Sequence, residues 1–129
     1  MAAAMSPTKD TALVGTWREI LERHARVSCA LTTALEDQHG LGMSEFEVLE
    51  HLAALDGDEC RMQSLADEVH LSQSALSRVI GRLEKDGLVE RKMCSEDRRG
   101  IFTALTPEGR ERYESARPTH REVLERELA

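Results

Sequence analysis

The 129-residue chain is poor in aromatic residues, with one Trp, one Tyr and two Phe. Its core must therefore consist mostly of Leu, Val, Ala and Ile side chains. This favours packed helices over a β-sandwich or barrel, because those folds depend on aromatic and β-branched residues. No run of about 18 apolar residues occurs, so we expect no transmembrane helix and no membrane partner. The length predicts one domain, with or without an arm.

Cysteine is also scarce. Cys29, Cys60 and Cys94 are widely spaced and form neither a Cys-x-x-Cys pair nor an even disulfide framework. The first ten residues lack the basic start and long apolar run of an export signal. We therefore expect a cytoplasmic protein in a reducing environment.

Signatures of catalysis and of metal binding are missing as well. The five histidines show no His-x-x-x-His spacing. Gly40 and Gly42 lack the preceding strand and the third glycine of a phosphate-binding loop, and no nucleophile-elbow motif occurs. We predict that the chain is not an enzyme and needs no cofactor and no metal.

The net charge of −7 conceals an uneven distribution. Residues 1–60 contain four Lys or Arg against eleven Asp or Glu, whereas residues 72–105 contain seven against five. A local basic face can bind phosphate whatever the total charge is. Residues 72–105 are therefore the candidate region for contact with nucleic acid.

Helical periodicity dominates the first two thirds of the chain. We expect residues 1–10 to be a flexible arm and residues 11–39 to form one long amphipathic helix that ends at Gly40. Ser44 and Glu47 have the spacing of a capping box, in which each side chain satisfies a free backbone N–H of the other. Three shorter helices are expected at residues 44–55, 61–69 and 72–85, with a turn at residues 56–58.

After Gly87 the pattern changes to that of a β-hairpin. Residues 88–93 and 101–105 are predicted strands, joined by a charged seven-residue tip. Thr106 and Pro107 then begin another helix, as the N-cap and the first helical residue. Pro118 is expected to kink or interrupt this helix, because its ring removes a backbone donor.

Two of the predicted helices, at residues 61–69 and 72–85, are joined by a very short turn, as in a helix-turn-helix. Leu76 and Val79 are expected to pack on the first of them. The opposite face carries residue types that suit a major groove, since Gln pairs with adenine edges and Arg with guanine edges or phosphate. The alternative is a solvated face and, for one arginine, an ion pair inside the domain. The candidate DNA-binding residues are Gln73, Ser74, Ser77, Arg78 and Arg82.

The tip of the hairpin adds two further DNA-binding candidates, Arg98 and Arg99. A hairpin directly after a helix-turn-helix is a wing, and its tip can reach phosphate or a neighbouring minor groove. Narrow minor grooves concentrate negative potential and attract arginine. The alternative is an ordinary charged loop.

These motifs resemble the MarR family of bacterial winged-helix transcriptional regulators over about residues 12–128. The most specific parts are S-x-S-x-L-S-R-x-x-x-R-L-E-x-D-G-L-V-E-R at residues 72–91 and E-D-R-R-G-I-F-T-A-L-T-P-E-G at residues 96–109. The resemblance implies a mainly α fold: a winged helix-turn-helix with a two-stranded β-wing at residues 40–105, flanked by dimerisation helices. These helices are expected at residues 11–39 and 106–129, the second being shorter than is usual in the family.

The resemblance also implies a function. Family members bind double-stranded DNA as homodimers at pseudo-palindromic operators, and many repress neighbouring genes until a small aromatic or phenolic effector releases them. Asp97 takes the place of the residue that orients Arg99 on the wing. Trp17 and His24 are the candidate effector-pocket residues, with a core or interface anchor as the alternative for Trp17.

Two other functions remain open from the sequence. The first is redox sensing through Cys94, at the start of the exposed tip, or through Cys29, for which a buried structural role is expected. The second is a winged-helix module that binds a protein partner and no DNA. The −7 net charge is compatible with such a module.

Overall fold

The computed structural model describes residues 6–55, 59–93 and 101–129. This part of the chain is mainly helical, with one small antiparallel sheet, so the predicted fold class is confirmed. The helices are α1 (Pro7–His39), α2 (Met43–Ala53), α3 (Met62–Glu68), α4 (Gln73–Lys85) and α5 (Pro107–Leu128). The strands are β1 (Glu59–Arg61), β2 (Val89–Met93) and β3 (Ile101–Leu105).

Helix α1 begins four residues earlier than the sequence pattern indicated, so part of the expected flexible arm is helical. The Ser6 hydroxyl accepts a hydrogen bond from the Lys9 N–H at 3.3 Å. Pro7 occupies the first helical position, where its missing N–H costs nothing. The helix ends where predicted, at Gly40, whose φ of 64° is a left-handed conformation that glycine adopts without strain.

Helix α2 lies at the centre of the core. The predicted capping box at Ser44 is wrong, because Gly42 is the N-cap and no side chain caps the helix. The Gly42 carbonyl already accepts from the Phe46 N–H at 3.0 Å, which places Ser44 inside the first turn. The buried residues of α2 are Phe46, Val48, Leu49 and Leu52.

The sheet has three strands, whereas the sequence predicted two. Strand β1 pairs antiparallel with β3, and the strand order is β1-β3-β2. At three residues β1 is too short to show an alternating pattern, and Arg61 was assigned to the following helix. The paired wing strands run from Val89 opposite Leu105 to Met93 opposite Ile101, as predicted. The expected turn at 56–58 and the wing tip at 94–100 lie outside the described residues.

Helix α5 starts as predicted, with the Thr106 hydroxyl accepting from the Gly109 N–H at 3.0 Å. It continues through Pro118 as one helix, so the expected interruption is absent. One lost backbone hydrogen bond is tolerated because the helix packs along α1 and α2 on both sides of the proline. The buried residues flanking Pro118 are Ala116, His120 and Val123.

The N-terminal half of α1 is the one helical part of the described chain that lies wholly outside the core. Every residue from 7 to 26 is exposed, and the first buried residue of the helix is Leu31. The chain has 8876 Å² of accessible surface, against about 6,800 Å² expected for a compact monomer of its mass. No residue of α1 up to residue 26 therefore contributes to the core.

The packing around two glycines, Gly109 in the first turn of α5 and Gly81 inside α4, predicts different effects of substitution. At Gly109 an added Cβ would collide with the Leu88 carbonyl and lie 2.8 Å from Leu105 Cδ1. Gly109→Ala should therefore lower the free energy of unfolding by about 3 kcal/mol or more. The measurement is chemical denaturation at one fixed protein concentration.

Gly81→Ala is the matched control, because a Cβ at Gly81 meets nothing within 4 Å and the residue lies inside α4. This change should raise the stability by about 0.5–1 kcal/mol through the better helix propensity of alanine. Equal effects of the two substitutions would contradict the close approach described at Gly109.

Candidate nucleic-acid interface

Helix α4 has two chemically distinct faces. Four residues at helical spacing, Leu76, Val79, Ile80 and Leu83, are buried in the core. The opposite side, which we call the contact face, consists of the five predicted residues of this helix. All five are exposed: Gln73, Ser74, Ser77, Arg78 and Arg82.

The N-terminus of α4 is capped as predicted. The Ser72 hydroxyl accepts from the Ala75 N–H at 3.1 Å and lies 3.3 Å from the Ser74 hydroxyl. The first N–H groups of the helix, including that of Gln73, have no partner inside the helix. Together with the helix dipole they leave a partial positive charge that suits a phosphate oxygen.

The two arginines of the contact face differ in their surroundings. Arg82 Nε lies 3.7 Å from Glu45 Oε1, so the predicted alternative of an ion pair within the domain is present. The Arg82 side chain nevertheless remains 62% exposed. Arg78 forms no hydrogen bond or ion pair with any residue in the described ranges, and its guanidinium is free to contact a ligand.

The wing strand β2 is tied directly to α4. Arg91 Nη2 donates to the Ser77 carbonyl at 3.5 Å, and Arg91 Nε lies 3.7 Å from Glu84 Oε1. These contacts set the position of the hairpin relative to the contact face. The predicted wing residues Asp97, Arg98 and Arg99 lie outside the described residues, so their roles stay predictions.

The cysteines differ from expectation. Cys29 is exposed, not buried, and lies in an open groove between α1 and the C-terminal end of α5. Burial, and secondly the negative charge of Glu68, raise the pKa of the Cys60 thiol, which disfavours its reactive thiolate form. Cys94 lies outside the described part of the chain, so the redox hypothesis gains no support here.

A pocket of about 430 Å³ lies where α1 and α2 meet the turn between α3 and α4. We call it the α1–α2 pocket. His24, one of the two predicted effector residues, contributes to its wall, but Trp17 does not and is 58% exposed. The lining residues are His24, Val27, Ser28, Leu31, Met43, Ser44, Glu47, Glu68, Val69, His70 and Leu71.

The turn at one wall of this pocket has an unusual backbone. His70 has a φ of 57° and is the one described non-glycine residue with positive φ. The Leu71 N–H donates to the Ala66 carbonyl at 3.0 Å, which closes α3 in the way that usually requires glycine. A side chain in this conformation costs about 1–2 kcal/mol. The sequence showed a tight turn here but gave no sign that it lined a pocket.

Aromatic stacking and a polar network attach α5 to α2. The Phe46 ring lies 4.4 Å from the ring of the buried His120 and 5.5 Å from that of Tyr113. The Tyr113 hydroxyl donates to Glu50 at 3.2 Å, and Arg121 also donates to Glu50. Arg121 Nη1 lies 2.6 Å from His120 Nδ1.

This network controls the ionisation of Glu50. Partial burial on its own would raise the pKa of the Glu50 carboxyl. The hydrogen bond and charge of Arg121, with the Tyr113 hydroxyl, outweigh burial, and the pKa lies below its ordinary value. The carboxylate is therefore the form that holds α2 and α5 together.

One group of side chains has the composition of a metal site. Ligand atoms of Glu47, Glu50 and His120 lie within 4.8 Å of one another. Arg121 already supplies a positive charge to Glu50 and a donor to His120, so a cation would have to displace it. We therefore assign no metal to this group. None of the described helices is both long and apolar enough to span a membrane.

A helix-turn-helix followed at once by a β-hairpin defines the chain as a winged-helix protein. The sequence profile of the MarR family matches residues 39–100. AbsC, a MarR family transcriptional regulator from Streptomyces coelicolor, is 34% identical and superposes with a TM-score of 0.84 over 98% of this chain and 82% of its own. The chain belongs to the MarR family of transcriptional regulators.

Two further relatives are informative. Sco3205, a MarR family regulator from S. coelicolor solved in complex with DNA, is 28% identical, with a TM-score of 0.86 over 98% of this chain and 77% of its own. YdgJ of Bacillus subtilis, an uncharacterized HTH-type transcriptional regulator, is 31% identical over 86% of this chain. The matched segments cover 66% of YdgJ and 48% of the MhqR regulator of the same species, so the chain spans about half to two thirds of such relatives.

The Glu50 network predicts a specific effect of pH on stability. A carboxyl whose pKa is depressed on folding stabilises the protein above its unfolded pKa, near 4.5, and loses this effect as the pH falls through the lower folded value. Glu50→Gln should therefore lower the free energy of unfolding at pH 7 by about 1 kcal/mol, allowing for partial solvent screening. The difference between the two proteins should shrink below pH 4.

The measurement is urea denaturation from pH 3 to 8. Glu125→Gln is the control, because this exposed residue of α5 forms no side-chain hydrogen bond or ion pair with the described residues and should leave the curve unchanged. A Glu50→Gln curve that runs parallel to the parent at all pH values would rule out the proposed charge effect.

Proposed function

We propose that the chain is a sequence-specific DNA-binding transcriptional regulator, a homodimer that represses neighbouring genes until a small effector releases it. The observation that carries the proposal is the contact face of α4. It combines a capped helix N-terminus, small hydroxyl side chains and an unpaired Arg78 on a helix whose other face is locked in the core. The DNA complex of the relative Sco3205 supports this assignment.

In this proposal the contact face enters the major groove. Gln73 and Arg78 can make bidentate bonds to adenine and guanine edges, while Ser74 and Ser77 allow the backbone to approach closely and donate to phosphate. Arg82 contributes less, because Glu45 competes for its guanidinium. Arg98 and Arg99 at the wing tip reach an adjacent minor groove, with Asp97 orienting Arg99.

A second copy of the chain is the expected partner of α1. Five large apolar side chains are exposed along one stripe of this helix, each 42–58% accessible: Leu13, Val14, Trp17, Ile20 and Leu21. Their spacing is that of a helix packing against another helix. In a two-fold dimer the two contact faces would lie about 34 Å apart, one turn of DNA.

The α1–α2 pocket is the proposed effector site. Its volume suits a small molecule, and most of its wall is apolar. Val69, His70 and Leu71 belong both to the pocket wall and to the turn that aims α4. A ligand that shifts this turn would move the contact face, and His24 would contact the ligand from the side of α1.

A charge on the contact face should matter for DNA binding far more than a charge elsewhere on the same helix. Arg78→Ala should weaken binding to the DNA that flanks the protein's own gene by about 1–3 kcal/mol, mostly at one base pair if Arg78 reads a guanine. Lys85→Ala is the matched control, because Lys85 lies at the other end of α4. Binding is measured by fluorescence anisotropy over a salt series, with a random duplex beside the specific one.

Steep salt dependence is expected for the parent protein, since phosphate contacts release counterions. Equal affinity of the parent and Arg78→Ala would remove Arg78 from the interface. Weak, salt-independent binding to both duplexes would favour the alternative, a module for a protein partner.

The apolar stripe of α1 predicts the behaviour of the dimer. Trp17→Glu should raise the dimer dissociation constant at least tenfold, because it places a charge in an apolar interface. Sedimentation velocity over a concentration series measures this. Trp17 is the sole tryptophan of the chain, so its fluorescence should also shift to the red as the parent protein is diluted.

Ala12→Glu provides the control for this variant. It introduces the same charge about 140° around the helix from Trp17 and should leave the sedimentation unchanged. A parent protein that stays monomeric at all concentrations, or two variants that behave alike, would exclude the stripe as the dimer interface.

A further inference from the structure

We propose that the α1–α2 pocket selects a small amphipathic cation, such as a lipophilic amine, over an anion. This inference rests on the proposed function, since it names the ligand class of the proposed effector site. The family resemblance implied an aromatic or phenolic effector. The present proposal concerns the charge of the ligand, whether or not the ligand contains an aromatic ring.

The pocket combines an apolar wall with acidic side chains. The apolar part comes from α1, α2 and the turn after α3, with Leu31 buried and Val27, Met43, Val69 and Leu71 partly exposed. These side chains can cover the hydrocarbon body of a ligand. Burial of that body supplies the affinity but does not discriminate between charges.

Glu68 is the clearest source of charge selectivity. It lines the pocket, is exposed, and forms no hydrogen bond or ion pair with another residue in the described ranges. Its charge already acts inside the protein, where it raises the pKa of the Cys60 thiol together with burial. An ammonium group in the pocket would give this carboxylate a partner that the chain does not supply.

Glu47 adds a second negative charge at the pocket wall, and its described partner is a histidine and not a Lys or Arg. Glu47 Oε1 lies 3.6 Å from His120 Nε2. The guanidinium of Arg121 is engaged elsewhere: Nη1 lies 2.6 Å from Nδ1, the other ring nitrogen of His120, and Nη2 bonds Glu50.

No Lys or Arg is among the described residues that line the pocket. The remaining polar lining groups are the hydroxyls of Ser28 and Ser44 and the imidazoles of His24 and His70. At pH 8 an ordinary imidazole is uncharged. Two carboxylates with no lining cation attract a positively charged ligand and repel a carboxylate.

The test uses three probes that share one apolar body and differ in charge: 4-tert-butylbenzylamine, 4-tert-butylbenzyl alcohol and 4-tert-butylbenzoate. Each is titrated by calorimetry into the full, DNA-free chain at pH 8. The amine should bind at least tenfold more tightly than the benzoate, with the alcohol between them. Methyl NMR shifts at Leu31, Val69 and Leu71 should locate all binding in the pocket.

The variants Glu68→Gln and Glu47→Gln remove the charges but keep the side-chain shapes, and Glu47→Gln keeps an oxygen to accept from His120. Together they should reduce the preference for the amine at least threefold and leave the alcohol affinity unchanged. Glu125→Gln, far from the pocket on α5, should change neither. Its inclusion controls for the overall charge of the chain.

Three results would overturn the proposal: a benzoate that binds as tightly as the amine, a preference that survives both pocket substitutions, or shifts confined to residues outside the pocket. Failure of all three probes to bind would do the same. Because these titrations contain no DNA, they stand apart from the proposed DNA binding. Release of bound DNA by the amine is then measured separately, so that failure of DNA binding and failure of cation selectivity give different outcomes.

Discussion

The packing of Phe46 in the first turn of α2 is the contact on which the rest of the molecule depends. Its ring is fully buried and lies against two rings of α5, those of Tyr113 and His120. In a core built almost entirely from aliphatic side chains, this cluster joins the winged helix-turn-helix to the long terminal helix. Glu50, on the same helix, accepts hydrogen bonds from Tyr113 and Arg121 of α5. These directional bonds orient α5 on α2, in addition to the burial of the rings. In the proposed dimer, the position of each contact face would therefore depend on α2.

In α4, the helix that we propose reads DNA, the buried face holds the exposed contact face in position. Four apolar residues of α4 are fixed in the core, so the side chains on the other side can remain unpaired without loss of the fold. Arg91 then ties the wing strand to the same helix through the Ser77 carbonyl. A net charge of −7 does not oppose this function, because the excess of acidic over basic residues lies in residues 1–60, which contain eleven Asp or Glu and four Lys or Arg.

The α1–α2 pocket and the turn of the helix-turn-helix share residues, which gives a physical route from ligand to DNA. His70 holds a backbone conformation that costs energy for a residue with a side chain. A ligand that binds one arrangement of this turn more tightly than another would shift the populations of the two. Glu47 links the same pocket to His120 of α5, and hence to the helices proposed for dimerisation.

Much of the fold could be predicted because its signals are local. The spacing of Leu76, Val79, Ile80 and Leu83 defines α4, and Ser72 and Thr106 cap helices with their own side chains. The contact face followed from the same spacing, since residues that alternate with a buried stripe must lie outside. Strand β1 could not be predicted in this way, because three residues have no period and their pairing depends on β3, some 40 residues away. The helix is not interrupted at Pro118, because a local penalty was outweighed by packing along a 22-residue helix.

The pattern of side chains along the chain thus decided the order of the elements, the fold class and the face of α4 turned to solvent, because periodicity and capping act over a few residues. Tertiary structure alone decided that Arg82 meets Glu45, that Cys29 is exposed, and that His24 but not Trp17 lines a pocket. It also decided that Glu47 lies beside His120, and that Glu68 lines the pocket without a hydrogen bond or ion pair to another described residue. Each of these depends on residues far apart in sequence, whose meeting is determined by how the helices pack.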